Sequence, residues 1–158
     1  MRKWIVALLV AALAAAPLSA LAAGLSEGLI DDAKQALTLM SYGEYKKALK
    51  KLNLKDAPSA QELSNFVEES LSDVYVVAVQ SEVAVAYQVD GVWRVAVPVE
   101  APAYDSVKTL VVRSKDGERF DAYRAMAWYE VMDQVAGADQ VIWRDAYEQG
   151  DVYLLPDN

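Results

Sequence analysis

The stretch EVAVAYQVDGVWRVAVPV, from Glu82 to Val99, constrains the fold more than any other part of the chain. Val83, Val85, Tyr87 and Val89 alternate with Glu82, Ala84, Ala86 and Gln88. Trp93, Val95, Val97 and Val99 alternate with Arg94, Ala96 and Pro98. Successive side chains of a strand leave opposite faces, so period-two alternation of β-branched and aromatic residues marks two strands. Asp90-Gly91 between them is a hairpin turn signal. A two-residue loop would set Tyr87 against Arg94 and divide the large residues between the faces. A three-residue loop, Val89-Asp90-Gly91, sets Tyr87 against Trp93, Val85 against Val95 and Val83 against Val97, collecting them on one face. Burial of one face fixes register, so the three-residue loop is expected, with Gly91 left-handed in a bulge. The other face, with Ala84, Ala86 and Ala96, leaves room for a helix to lie close. Pro98 cannot donate to a ladder and belongs at an edge or a frayed end.

The first residues read as an address. Arg2 and Lys3 precede an apolar run from Trp4 to Ala16, and Ala20-Leu21-Ala22 follows Pro17. This is the pattern of a secretory signal peptide over residues 1–22, cut after Ala22 or Ala23. The apolar run is shorter than the roughly 20 residues that span a bilayer. A periplasmic or extracellular protein is expected, with no stable membrane anchor after cleavage. Residues 23–158 then form a single domain, with a helical hairpin over 24–55 and a helix plus sheet over 56–158. The chain contains no cysteine, so packing and not disulfides must hold an exported domain of this size.

Leu25, Leu29, Ala33, Ala36, Leu37 and Met40 recur at helical spacing. Ser41-Tyr42-Gly43-Glu44 reads as a capping box opening a second helix. That helix carries Tyr45, Ala48, Leu49 and Leu52 on one side and Lys46, Lys47, Lys50 and Lys51 on the other. The Gly43-x-Tyr45-x-x-Ala48 spacing, with Ala36 upstream, resembles the turn of a tetratricopeptide-type helix pair over about 30 residues. Lys55 departs from that pattern, and no second copy follows to stack on it. A second capping box, Ser59-Ala60-Gln61-Glu62, opens a third helix with Leu63, Phe66, Val67, Ser70 and Leu71 as its stripe.

Val74 to Val79 reads as a strand leading into the hairpin through a bend at Gln80-Ser81. Val107 to Arg113 reads as another strand, ended by Lys115-Asp116-Gly117. Phe120 to Val135 is expected to be a helix capped by Gly137, lying over the alanine face of the hairpin. Val141 to Tyr147 fits a strand by propensity and a short helix by its flanks. Asp151 to Leu155 reads as a last short strand. The fold class is therefore α+β: an N-terminal helical hairpin and third helix packed with an antiparallel sheet of about four strands and a covering helix.

There is no histidine either, which excludes Ser-His and Cys-His nucleophilic sites and ordinary zinc or copper sites. No phosphate loop, nucleophile elbow or metal motif is present, so no cofactor is implied. The net charge of −8 becomes −10 once Arg2 and Lys3 leave with the signal peptide, which disfavours nucleic acid. The charge is uneven. Six lysines face four acids from Gly24 to Lys55, and 19 acids face seven cations from Asp56 onward. The expectation is a non-enzymatic accessory or protein-interaction domain, with Lys46, Lys47, Lys50 and Lys51 as the docking face for an acidic protein partner. The runner-up is a small-ligand or glycan-binding domain whose cleft uses Trp93, Trp128, Trp143 and Tyr147. A carboxylate-based hydrolase is the third reading.

Overall fold

The computed structural model describes residues 24–72, 83–100 and 106–144. The signal peptide, the Val74–Val79 run with its bend, the Asp151–Leu155 run and Tyr147 lie outside them. The elements follow as α1 (Gly28–Ser41), α2 (Tyr45–Leu52), α3 (Ala60–Ser70), β1 (Ala84–Val89), β2 (Val92–Pro98), β3 (Lys108–Ser114), β4 (Ala122–Ala127), α4 (Trp128–Ala136) and β5 (Gln140–Arg144). The class is α+β. The antiparallel sheet has five described strands where about four were expected, in the order β4-β3-β2-β1-β5.

The hairpin turn differs from expectation, and the difference decides what each face carries. Val89 pairs with Val92 and Tyr87 with Arg94, so the loop is the two residues Asp90-Gly91. Both have positive φ, 52° and 77°, as a type I′ turn requires. That turn matches the twist of the flanking strands, and aspartate and glycine reach its backbone at low cost. The expected three-residue register assumed that one face alone takes the large residues. The sheet is instead covered on both faces, so bulky and small side chains can alternate between the strands. One face carries Val85 and Tyr87 of β1 with Arg94 and Ala96 of β2. The other carries Ala84 and Ala86 with Trp93, Val95 and Val97.

The face with Trp93 meets the N-terminal helices. Helix α1 packs on β1 and β2. Ala33 and Ala36 of α1 and Ala84 and Ala86 of β1 are all fully buried, and their small size allows close approach. Phe66 of α3 meets Tyr123 of β4 edge-to-face, with ring centroids 4.7 Å apart. The capping box at α3 forms as expected: Glu62 N–H donates to Ser59 Oγ at 3.1 Å and Ser59 N–H to Glu62 Oε2 at 2.6 Å. The box expected at Ser41 does not form. Ser41 Oγ bonds back to the Thr38 carbonyl at 2.5 Å, and Glu44 is the N-cap of α2 without a side-chain cap.

The segment expected to be one long helix from Phe120 is split. Its first half is β4, paired along β3 from Arg113–Ala122 to Lys108–Ala127. Alanine, arginine and methionine favour helix, but an exposed strand pairing and the Phe66–Tyr123 contact outweigh that preference here. The helix begins only at Trp128, where Glu130 Oε2 accepts the Ala127 N–H at 2.8 Å. It covers the Tyr87 face and not the alanine face: Tyr87 Oη donates to Gln134 Oε1 at 2.7 Å, and Trp128 meets Trp143 of β5. Gly137 ends it in C-cap position with φ −100°, without the left-handed geometry. The ambiguous tail segment resolves as strand β5 over Gln140–Arg144.

Candidate functional site

Helix α2 is short and two-sided. Ala48 and Leu52 are buried against the core, while Lys46, Lys47, Lys50 and Lys51 are all exposed. Helical spacing places these four on two successive turns of one surface. Lys47 Nζ lies 2.9 Å from Glu44 Oε1, an exposed pair that contributes at most about 1 kcal/mol. It is the one of the four with a carboxylate partner among the described residues. Beside them runs an open groove of about 510 Å³, lined by Asp31, Lys34, Gln35, Thr38 and Leu39 of α1 and by Lys51 of α2. The hairpin is anchored from behind. Arg119, in the turn after β3, donates its Nε to the Asn53 carbonyl at 2.8 Å and Nη2 to the Leu54 carbonyl at 3.3 Å. A cation at the C-terminal end of α2 also complements the helix dipole.

The acidic turn after β3 is a structural device. Asp116 Oδ1 accepts the N–H groups of Glu118 and Arg119 at 2.8 and 2.9 Å. These bonds, the Glu118 one first, hold its carboxyl below the usual carboxylate range. Ser114 Oγ, buried, donates to the Arg119 carbonyl at 2.7 Å and accepts from Gly117 N–H at 2.9 Å. No group of three or more metal-ligating acidic side chains occurs among the described residues.

The aromatic set does not assemble as one cleft. Trp93 is 1% exposed on the face under α1, whereas Trp128 and Trp143 meet on the opposite face with centroids 6.4 Å apart. Trp93 and Trp128 are core and Trp143 packs half-buried against it, which is where aromatics at such spacing mostly belong. Tyr147 lies outside the described residues.

Sequence reasoning missed the arginines. Arg94 sits directly opposite Tyr87 on β1 and Arg113 on β3. Arg124 of β4, opposite Val111, shares their face. The expected register would have sent Arg94 to the other face, and β4 was read as helix, so nothing in the residue spacing pointed to this grouping. The signal that could have found it is the Asp90-Gly91 dipeptide itself, whose strongest association is with the two-residue turn.

Tyr87 is the buried polar group of this region. Burial pushes its phenol up to about 12, with Arg94 and Arg124 pulling the other way. The folded state thus keeps a proton that the unfolded chain releases near pH 10. The stabilisation is complete below pH 10 and is lost as pH rises towards 12, a fall of about 2 to 3 kcal/mol. Tyr87→Phe should remove that alkaline fall and cost about 1 kcal/mol at neutral pH through the lost bond to Gln134. Urea midpoints across this pH range check it; the same alkaline slope in both proteins would contradict the assignment.

Compared with known proteins, the chain matches no family model, no curated protein and no solved structure.

Proposed function

We propose that the chain is an exported, non-enzymatic accessory domain that captures an acidic protein partner through the lysine face of α2. The observation that carries this reading is the placement of Lys46, Lys47, Lys50 and Lys51 on one exposed surface beside the α1–α2 groove. The groove combines Leu39 with two lysines, Lys34 and Lys51, against one acid, Asp31, a net basic lining that suits an acidic amphipathic segment. From Asp56 onward 19 acids stand against seven cations, so the net charge of that part disfavours an acidic partner. Export is supported by Arg2-Lys3, the apolar run to Ala16 and the Ala20-x-Ala22 pattern. Among the described residues no helix is long and apolar enough to cross a membrane.

The double reversal Lys47→Glu, Lys50→Glu tests the proposal. Partner recovery from the periplasmic fraction of the native host should fall about tenfold, and its salt dependence should flatten, because screened surface charge sets association. Stability should stay within about 0.5 kcal/mol of the original, since both side chains are exposed. Undiminished recovery by a variant with an unchanged melting temperature would overturn the docking face.

A further inference from the structure

A separate cavity of about 260 Å³ lies where the turn after β3 meets the loop after α2, and four cations line it: Lys55, Arg113, Lys115 and Arg119. Cations are scarce in this part of the chain. From Asp56 onward there are seven against 19 acids, yet three of the seven stand at this one cavity and Lys55 joins them. Lys55, Lys115 and Arg119 are exposed, so the cavity opens to solvent. Its walls are pinned by bonds that leave the cationic ends available. Lys55 N–H donates to the Phe120 carbonyl at 3.2 Å, and Asp121 N–H to the Arg113 carbonyl at 2.9 Å. Arg119 Nε and Nη2 hold the carbonyls of Asn53 and Leu54, neutral acceptors that leave its charge uncompensated. Lys55 Nζ and Lys115 Nζ have no hydrogen bond or ion pair among the described residues. The acids of the lining are Asp56, Asp116 and Asp121. Asp121 spends both oxygens, on Arg113 Nε at 2.6 Å and on Lys115 N–H at 2.8 Å. Asp116 Oδ1 is taken by the N–H groups of Glu118 and Arg119. Cationic donors therefore outnumber the acceptors left to meet them.

We propose that this cavity binds a phosphate group, free or as a small phosphate ester, through Lys55, Lys115 and the remaining guanidinium donors of Arg113 and Arg119. The four cations come from separate segments and approach from several sides. A phosphate presents three acceptor oxygens around one centre, which suits that arrangement. A carboxylate offers two in one plane. The volume is below the roughly 300–1,000 Å³ of pockets for drug-sized ligands, so the site suits a compact anion. Pinned walls keep the ordering cost of binding low. The cavity shares no lining residue with the groove beside α2.

Calorimetric titration with inorganic phosphate, glycerol 3-phosphate and malonate, at constant ionic strength in chloride, tests the site. Saturable binding of at least one of the two phosphates is expected, and the tighter of them tells the free anion from the ester. Malonate should bind about tenfold more weakly. Lys55→Gln with Lys115→Gln should weaken phosphate binding at least about tenfold, the loss of two charged contacts. Both side chains are exposed, and their backbone bonds survive the change, so the melting temperature should hold. Lys47→Glu, Lys50→Glu should leave the affinity within about twofold, which separates this site from the docking face. No saturable binding of either phosphate at about 10 mM would overturn the proposal. So would unchanged affinity in the Lys55, Lys115 variant, an equal loss in the Lys47, Lys50 variant, or malonate binding tighter than both phosphates.

Discussion

Alanine at Gly117 should destabilise the domain by about 3 kcal/mol or more. Two independent costs meet there. The backbone is left-handed, with φ +76°, which an alanine adopts at a cost of about 1 kcal/mol. A β-carbon would also overlap the carbonyl oxygen of Gly24, 2.6 Å from its carbon and 3.4 Å from Leu25 N. These are backbone atoms, and they cannot simply move away, because Ser26 N–H donates to the Gly117 carbonyl at 2.7 Å. The turn after β3 and the segment leading into α1 are thus pressed backbone to backbone. Gly91 provides the control. Its φ is +77°, yet nothing lies within 4 Å of its absent β-carbon. Gly91→Ala should therefore cost only about 1 kcal/mol. Urea unfolding of both variants separates the two terms, and equal midpoint shifts would contradict the close approach.

Trp93→Ala should cost about 3–5 kcal/mol, the range for truncating a large buried aromatic. Trp93 is 1% exposed and is the largest fully buried side chain among the described residues. It pairs with Gln88 on one side and Ser114 on the other, and its Nε1 lies 3.3 Å from where a β-carbon on Gly24 would stand. Its loss would open a cavity under the start of the chain and loosen the contact of Gly24 with the β3–β4 turn. The variant should melt far below the original, and an unchanged melting temperature would contradict the place of Trp93 in the core.

The parts of the fold legible in the sequence are those specified locally. Ser59 and Glu62 need only each other and the first turn of α3, and they form the box that their spacing announces. The apolar spacing from Leu29 to Met40 likewise gives α1. Apart from the Ser41 box, lost to the local bond from Ser41 Oγ to the Thr38 carbonyl, misreadings fall where tertiary contacts decide. Ala122–Ala127 has helical residues, but β3 and Phe66 hold it as a strand. Tyr87 and Trp93 were expected together because one-sided burial was assumed, and that assumption fails once α4 covers the second face. The same error concealed the arginine grouping, which exists only in the two-residue register. The lysine face was legible because it belongs to a single short helix.

Strand β5 lies beside β1, so the first strand of the described sheet is completed by the last. A polypeptide emerging N-terminus first has its helices, hairpin and β3 available long before Gln140–Arg144 arrives. Until then the outer edge of β1 shows unpaired N–H and C=O groups, the template on which strands from other chains add. Tyr87 and its apolar neighbours also wait for α4, which emerges just ahead of β5. Long-range closure of this kind is slow, and the incomplete chain is the form most exposed to aggregation. A nascent chain stalled before residue 140 would therefore need a chaperone on that edge, and the closing strand sets the moment at which the chaperone can be released.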